Sequence, residues 1–214
     1  MEKLFVIGSG GFCKQVIEIT EEINKVKKEY ELIGIIDDNK ARLGENVLGY
    51  SVVGTTEYLK EISEKEVIYG VIAIADANIR EKIVNELKLV KWANLIHPKA
   101  TISKYFNLGV GNVVCGGVVI NPDSSLGNHC HINIGTTFGH DVRLEDYVTI
   151  MPGCHISGNV YLKNKAIVGT GATIIQGITV ETGAELGAGA VIVKNTEEKV
   201  LYVGVPAKKL RDLK

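Results

Sequence analysis

The chain has 214 residues, 45% of them apolar, and a formal net charge of −1, which allows one large domain or two small ones, each with its own core. Lys and Arg number 24 against 25 Asp and Glu, with no basic stripe, and this excludes nucleic acid and an anionic membrane as partners. The four cysteines, Cys13, Cys115, Cys130 and Cys154, are scattered without a C-x-x-C pair, which fits a reduced cytoplasmic protein and not a disulfide scaffold.

The opening "MEKLFVIGSGG" has no basic leader, so it is expected to be a strand and not a signal peptide. No apolar run approaches the ~18 residues that span a bilayer. "KLFVIGSGG" reads as a buried strand running into a glycine turn. "FCKQVIEITEEINKVKKEY" has helical spacing, with Val16, Ile19, Ile23 and Val26 on one face. "ELIGIIDD" is a second strand. "TTEYLKEISEK" is a short helix capped by Thr, "VIYGVIAIAD" a third strand and "NIREKIVNELK" a third helix. Strand and helix in alternation predict an α/β N-terminal domain with a small Rossmann-like parallel sheet over residues 1–91.

From Ile96 the rhythm changes to six. Ile96, Ile102, Leu108, Val114, Ile120, Leu126, Ile132, Phe138, Leu144, Ile150, Ile156, Leu162, Val168, Ile174, Val180, Leu186 and Ile192 are all large and apolar. At 45% apolar content such a run has odds of roughly one in 10⁶ in a given register. The position four further on is small in most hexads, as at Cys130, Thr136, Cys154, Ala166 and Ala172, with Phe106 and Asn112 as exceptions. This is the signature of a parallel β-helix of hexapeptide repeats, predicted over residues 92–197. Three hexads make one triangular coil. The tail, 198–214, leaves the repeat and is expected to cap the last coil.

Eighteen residues per coil turn sequence distance into neighbourhood. His140 should stack between Pro122 and Gly158, and Asp141 between Asp123 and Asn159. The third hexad position of His140 points outward, where the core does not need it. A glycine directly above leaves open space and an accessible backbone N–H beside the imidazole, which suits a general base next to a reacting carbonyl. His155, fifteen residues on, is expected on a different face. Cys130 and Cys154 fall at the small interior position and read as core filler. No two of the histidines 97, 129, 131, 140 and 155 are five apart, so the His-x4-His pair of hexapeptide zinc sites is missing and no metal is expected. "GSGGFC" follows a strand and opens a helix, as a phosphate-binding turn does, while Asp37 and Asp38 end the next strand, where a ribose or base is held.

These motifs occur in a characteristic order: "GSGGF", "IIDD", "AIADANIREKI", "NLIHPKATIS", "GHD", "SGNVYL" and "YVGVPAKKL". Together they resemble the bacterial NeuD/PglD-type sugar acetyltransferases over nearly the whole chain. The resemblance implies a left-handed coil and a homotrimer with active sites in clefts between neighbouring prisms. It implies His140 as the base, Asp141 as its acidic partner, and the Gly158 N–H as the donor that holds the thioester oxygen. A nucleotide-sugar substrate is implied against Gly10, Gly11, Phe12, Asp37, Asp38 and Ala75. Acetyl-CoA, the acyl donor, is implied against Thr149, Thr170 and Ala188. Some relatives carry Glu at the place of Asp141, and some carry His at the places of Phe12 and Thr149.

The expected activity is transfer of an acetyl group from acetyl-CoA to the amino group of a nucleotide-linked amino sugar, by direct attack, in bacterial surface-glycan biosynthesis. Two other readings stay open. One is O-acetylation of sialic acid or a related sugar; the other is a non-catalytic nucleotide-binding scaffold on the same folds.

Overall fold

The computed structural model describes residues 1–213, which form two compact units, the first Met1–Pro98 and the second from Lys99 onward. The division falls at Pro98, although the hexad rhythm is already audible in the sequence at Ile96.

The first unit is built on β1 (Glu2–Ile7), α1 (Gly11–Val26), β2 (Tyr30–Ile36), β3 (Asn46–Val47), β4 (Tyr50–Gly54), α2 (Thr56–Ser63), β5 (Tyr69–Ile72), α3 (Ala77–Glu86) and β6 (Lys91–Trp92). The strand order is β3-β4-β2-β1-β5-β6, parallel except for the β3–β4 hairpin. Central β1 is buried on both faces, which is why "LFVI" is apolar without alternation. Ile7 pairs with Ile36 on one side and Ile72 on the other. The three strands therefore end level, and the loops that follow them converge at their carboxyl ends.

Three local details differ from the sequence reading. First, α1 ends at Val26 and not near Tyr30, because the Asn24 side chain accepts from the Glu29 and Tyr30 amides, both at 3.0 Å, and donates to the Tyr30 carbonyl. Its buried face is Cys13, Val16, Ile17, Ile19 and Thr20, whereas Val26 is exposed. Second, Thr55 precedes α2 but makes no side-chain cap. Asp38 does that work from a distance, accepting from the Thr56 amide at 2.8 Å and its hydroxyl at 2.9 Å. Third, the β3–β4 hairpin and β6 lie in segments without a clear periodic signal.

The second unit is a parallel β-helix. Its two-residue strands stack with a spacing of eighteen residues, as in Thr137↔His155 and His155↔Thr173. One face carries Val113–Val114, His131–Ile132, Thr149–Ile150, Ile167–Val168 and Glu185–Leu186. The second carries Thr101–Ile102 through Val191–Ile192, and the third Asn107–Leu108 through Thr179–Val180. The corners have a rhythm of their own. A residue with positive φ recurs every six positions, as at Gly135, Asp141, Tyr147, Gly153 and Asn159. The large hexad residues fill the interior, Ile132, Ile150 and Leu162 being fully buried. Asn112 replaces the usual small residue without penalty because its side chain donates to the Gly127 carbonyl at 3.0 Å and accepts from the Cys130 amide at 2.8 Å. The tail adds Val200–Val203 alongside Glu185–Leu186 and then folds back as Lys208–Asp212. The outermost strand bears Lys208, Lys209 and Arg211, charges that discourage further edge pairing.

Candidate active site

His140 sits at the edge between the second and third faces of the β-helix, just after the strand Thr137–Phe138. Phe138 is 1% exposed and anchors the turn from inside. The backbone is pinned from both neighbouring coils: the Asp141 amide donates to the Pro122 carbonyl at 3.1 Å, and the Asn159 amide donates to the His140 carbonyl at 3.0 Å. Asp141 occupies the corner at φ +58°, a conformation that Asp tolerates better than most residues. From there its Oδ2 lies 2.7 Å from His140 Nδ1. A carboxylate only accepts, so Nδ1 is the donor of this pair, and Nε2, beside Gly158, is the ring nitrogen left to accept a proton. Both side chains are largely exposed, 64% and 43%.

Gly158 lies against this ring. A Cβ at that position would stand 2.9 Å from both Cε1 and Nε2 of His140. On another edge of the prism, amides at the equivalent position are taken by side chains: Asn128 N–H donates to Asp146 at 2.7 Å, Asp146 N–H to Asn164 at 3.1 Å, and Asn164 N–H to Glu145 at 2.9 Å. Among the described residues the Gly158 amide has no such acceptor and stays available beside the imidazole. A hollow of about 210 Å³ adjoins the pair, lined by Asp141, Arg143, Asn159, Val160 and Tyr161.

The residues expected at acetyl-CoA are not gathered around His140 within one chain. Thr170 and Ala188 are exposed and stacked on the edge between the first and second faces, joined by the Gly189 amide and the Thr170 carbonyl at 2.8 Å. Thr149 lies within the first face and is 2% exposed. His155 corrects the sequence reading. It pairs with Thr137 on the same face that runs into the His140 corner, with its Nδ1 2.9 Å from the Thr137 hydroxyl.

In the first unit, Gly10, Gly11, Phe12, Asp37, Asp38 and Ala75 all line one cleft of about 660 Å³. Gly8 makes the entry turn at φ +99°, where a Cβ would strike Ile74 at 2.5 Å. Around Gly10 and Gly11 the space is open, and α1 begins there with no side-chain cap and no acidic residue in its first turn. The Gly10 and Gly11 amides are therefore ready for an anion. Asp37 accepts from the Ser9 amide at 3.0 Å, from the Ser9 hydroxyl, and from the Asn39 amide at 2.9 Å. Burial pushes its carboxyl up, but the bonds from Ser9 and Asn39 and the charge of Arg42 outweigh it and hold the group below the usual Asp range. Asp38 has one oxygen committed to Thr56 and the other unassigned.

Sequence reasoning missed Arg80. It is fully buried in α3, and its Nη1 donates to the carbonyls of Ile74 at 3.0 Å and Ala75 at 2.7 Å, fixing the loop that walls the cleft. Arg42, Thr56, Lys82 and Glu86 also line the cleft and were not singled out. All four cysteines are buried. Burial pushes Cys13 up to about 11 and Cys115 up to about 12, so neither is a ready thiolate. Among the described residues no three His, Cys, Asp or Glu side chains converge on a metal position, and no helix is long and apolar enough to cross a membrane.

Residues 3–87 match the PglD N-terminal domain. The GDP-perosamine N-acetyltransferase of Escherichia coli O157:H7 is 30% identical over 179 residues, covering 81% of this chain and 78% of the relative. The chain belongs to the PglD-type family of sugar acetyltransferases. Two solved structures extend the match to nearly the whole chain. PerB from Caulobacter crescentus, in complex with CoA and GDP-perosamine, superposes with a TM-score of 0.90 at 33% identity, over 99% of this chain and 98% of that one. The acetyltransferase domain of PglB from Neisseria gonorrhoeae FA1090, in complex with acetyl coenzyme A, superposes with a TM-score of 0.88 at 35% identity, over 98% and 99%. Both units of this chain thus have counterparts in solved acetyltransferases.

Proposed function

We propose that this protein acetylates the amino group of a nucleotide-linked amino sugar, with acetyl-CoA as donor and His140 as general base. The observation that carries the reading is the His140 imidazole, held through Nδ1 by Asp141 and seated over the bare Cα of Gly158. The relatives that act on GDP-perosamine, or bind CoA or acetyl coenzyme A, supply the substrate class.

The first unit holds the nucleotide, with the diphosphate at the Gly10–Gly11 amides and the ribose or base towards Asp37 and Asp38. His140 Nε2 accepts a proton from the amine as its nitrogen bonds to the thioester carbonyl carbon. Asp141 keeps the ring in the required tautomer and stabilises its charged form. The Gly158 N–H donates to the oxygen that becomes negative. Collapse breaks the C–S bond, the thiolate of CoA leaves, and the proton on His140 is available to it. No covalent enzyme intermediate is needed, in keeping with the inert cysteines.

The separation of His140 from Thr170 and Ala188 on two edges of the prism supports a homotrimer, in which a neighbouring copy brings the second edge to the first. A role in surface-glycan biosynthesis follows from the substrate class. The test is incubation with acetyl-CoA and a panel of 3-amino and 4-amino nucleotide sugars while thiol release is followed. Release with amino sugars is the expected result. Release only with sialic acids would transfer the assignment to O-acetylation, and no release with either would leave a binding scaffold.

A further inference from the structure

The cleft of the first unit is lined by two kinds of surface. One is the open glycine turn, Gly10 and Gly11. The other is one stripe of α3, where Ile79, Lys82, Ile83 and Glu86 recur at helical spacing. Ile79 is 45% exposed although apolar, a surface suited to the flat face of a base. On the same stripe Lys82 Nζ and Glu86 Oε1 stand 3.8 Å apart, a cationic donor beside an anionic acceptor. With the phosphates on the glycine-turn amides and the ribose at Asp37 and Asp38, this stripe is the part of the same lining left for the base.

We propose that Lys82 and Glu86 read the edge of that base and select guanine. The inference rests on the nucleotide-sugar reading above. Guanine presents, in order along its pairing edge, the O6 acceptor, the N1–H donor and the N2–H₂ donor. Lys82 matches O6, and the two oxygens of Glu86 match the adjacent donors in a bidentate pair. Uracil has a carbonyl where guanine has the amino group, so one Glu86 oxygen would face another acceptor. Adenine and cytosine place a donor opposite Lys82 and a bare ring nitrogen opposite the carboxylate. Size points the same way. A second hollow of about 290 Å³ borders the same Thr56 and Glu86, leaving room for a two-ring base.

The test is calorimetric titration of the full-length protein with GDP, UDP, CDP and ADP, repeated on Glu86→Gln and Lys82→Met. A bidentate base contact discriminates by roughly ten- to a hundredfold, so GDP should bind wild type tighter than the other three by about that factor. Glu86→Gln should erase most of this preference by weakening GDP alone, and Lys82→Met should weaken GDP by a smaller factor. Both residues are exposed on a helix, and an unchanged melting temperature will show the fold intact. UDP bound as tightly as GDP, or a GDP preference that survives Glu86→Gln, would overturn this assignment and leave the nucleotide-sugar reading standing. Failure of all four nucleotides to bind would overturn both.

Discussion

The Asp141 carboxylate reaches back over its own corner to His140 Nδ1 at 2.7 Å, and it can do so because Asp141 adopts φ +58°. The positive φ is imposed by the repeat, since every sixth residue bends the chain at a corner. A structural requirement of the β-helix thus places an acid where it can orient the preceding histidine.

That pairing predicts a kinetic phenotype without a folding one. A positioned base contributes about 10²–10⁴-fold to rate, and His140→Ala should lose that factor in thiol release at saturating substrates. Its side chain is 64% exposed, so stability should change by less than about 0.5 kcal/mol. Asp141→Asn should cost less, because Asn also accepts a positive φ and the imidazole remains. Near-full turnover of the His140→Ala enzyme would remove the general-base assignment.

Gly158→Ala tests the same site from above. Its backbone is not in the positive-φ region, so Ala is allowed locally, but the new Cβ would lie 2.9 Å from the ring of His140. The ring is the mobile partner and must swing away. Turnover should fall by about tenfold or more, as expected when a catalytic group is displaced by a fraction of an ångström, while the melting temperature holds. Equal losses in stability and rate would mean that the glycine serves packing and not the imidazole.

How far this site was legible beforehand follows from the kind of contact each residue makes. Gly158 was found from His140 by adding eighteen, because the β-helix converts a fixed sequence offset into contact. The same arithmetic misplaced His155, because fifteen residues is one coil less the three that carry the chain from Thr137 to the His140 corner. In the first unit the glycine turn and the acid pair were visible as local motifs. Arg80 beneath Ala75, Asp38 capping α2 and Asn24 ending α1 were not, since each depends on side-chain reach that no period encodes.

Asp37 should give the first unit a pH signature. An unfolded Asp titrates near about 3.9, and the folded group lies lower. Between the two values the unfolded chain binds more protons, so this stabilisation is complete above the unfolded value and is lost as pH falls through the folded one. Ser9→Ala removes the hydroxyl donor. The difference in urea midpoint between wild type and Ser9→Ala should therefore be clear at pH 7 and shrink below about pH 4. A difference that is the same at both pH values would show that Ser9 acts by packing alone.

Asp38 joins two roles that a pair of substitutions can separate. Its Oδ1 serves the first amide of α2, and losing such a cap costs about 0.5–2 kcal/mol, so Asp38→Ala should lower the melting temperature. Asp38→Asn keeps an oxygen acceptor but no charge. It should melt close to wild type, and any loss of nucleotide affinity it shows can be assigned to the ligand. If Asp38→Asn melts as low as Asp38→Ala, the charge and not the acceptor is what α2 requires.

The two edges of the prism lead to the most direct test of assembly. If His140 of one copy works with Thr170 and Ala188 of another, the two edges can be inactivated separately. His140→Ala lacks the base, and Ala188→Trp, at an exposed corner, fills the space expected for the acyl donor. Each variant alone should be inactive. After unfolding and refolding as an equal mixture, a site is whole only when its His140 comes from the Trp variant and its Ala188 from the other, which occurs at about one site in four under random assembly. Activity should therefore return to about a quarter of the wild-type value, with light scattering reporting trimers. Mixed oligomers that form, as shown by a tag on one variant, yet remain inactive would place the whole site within one chain and remove the argument for a shared cleft.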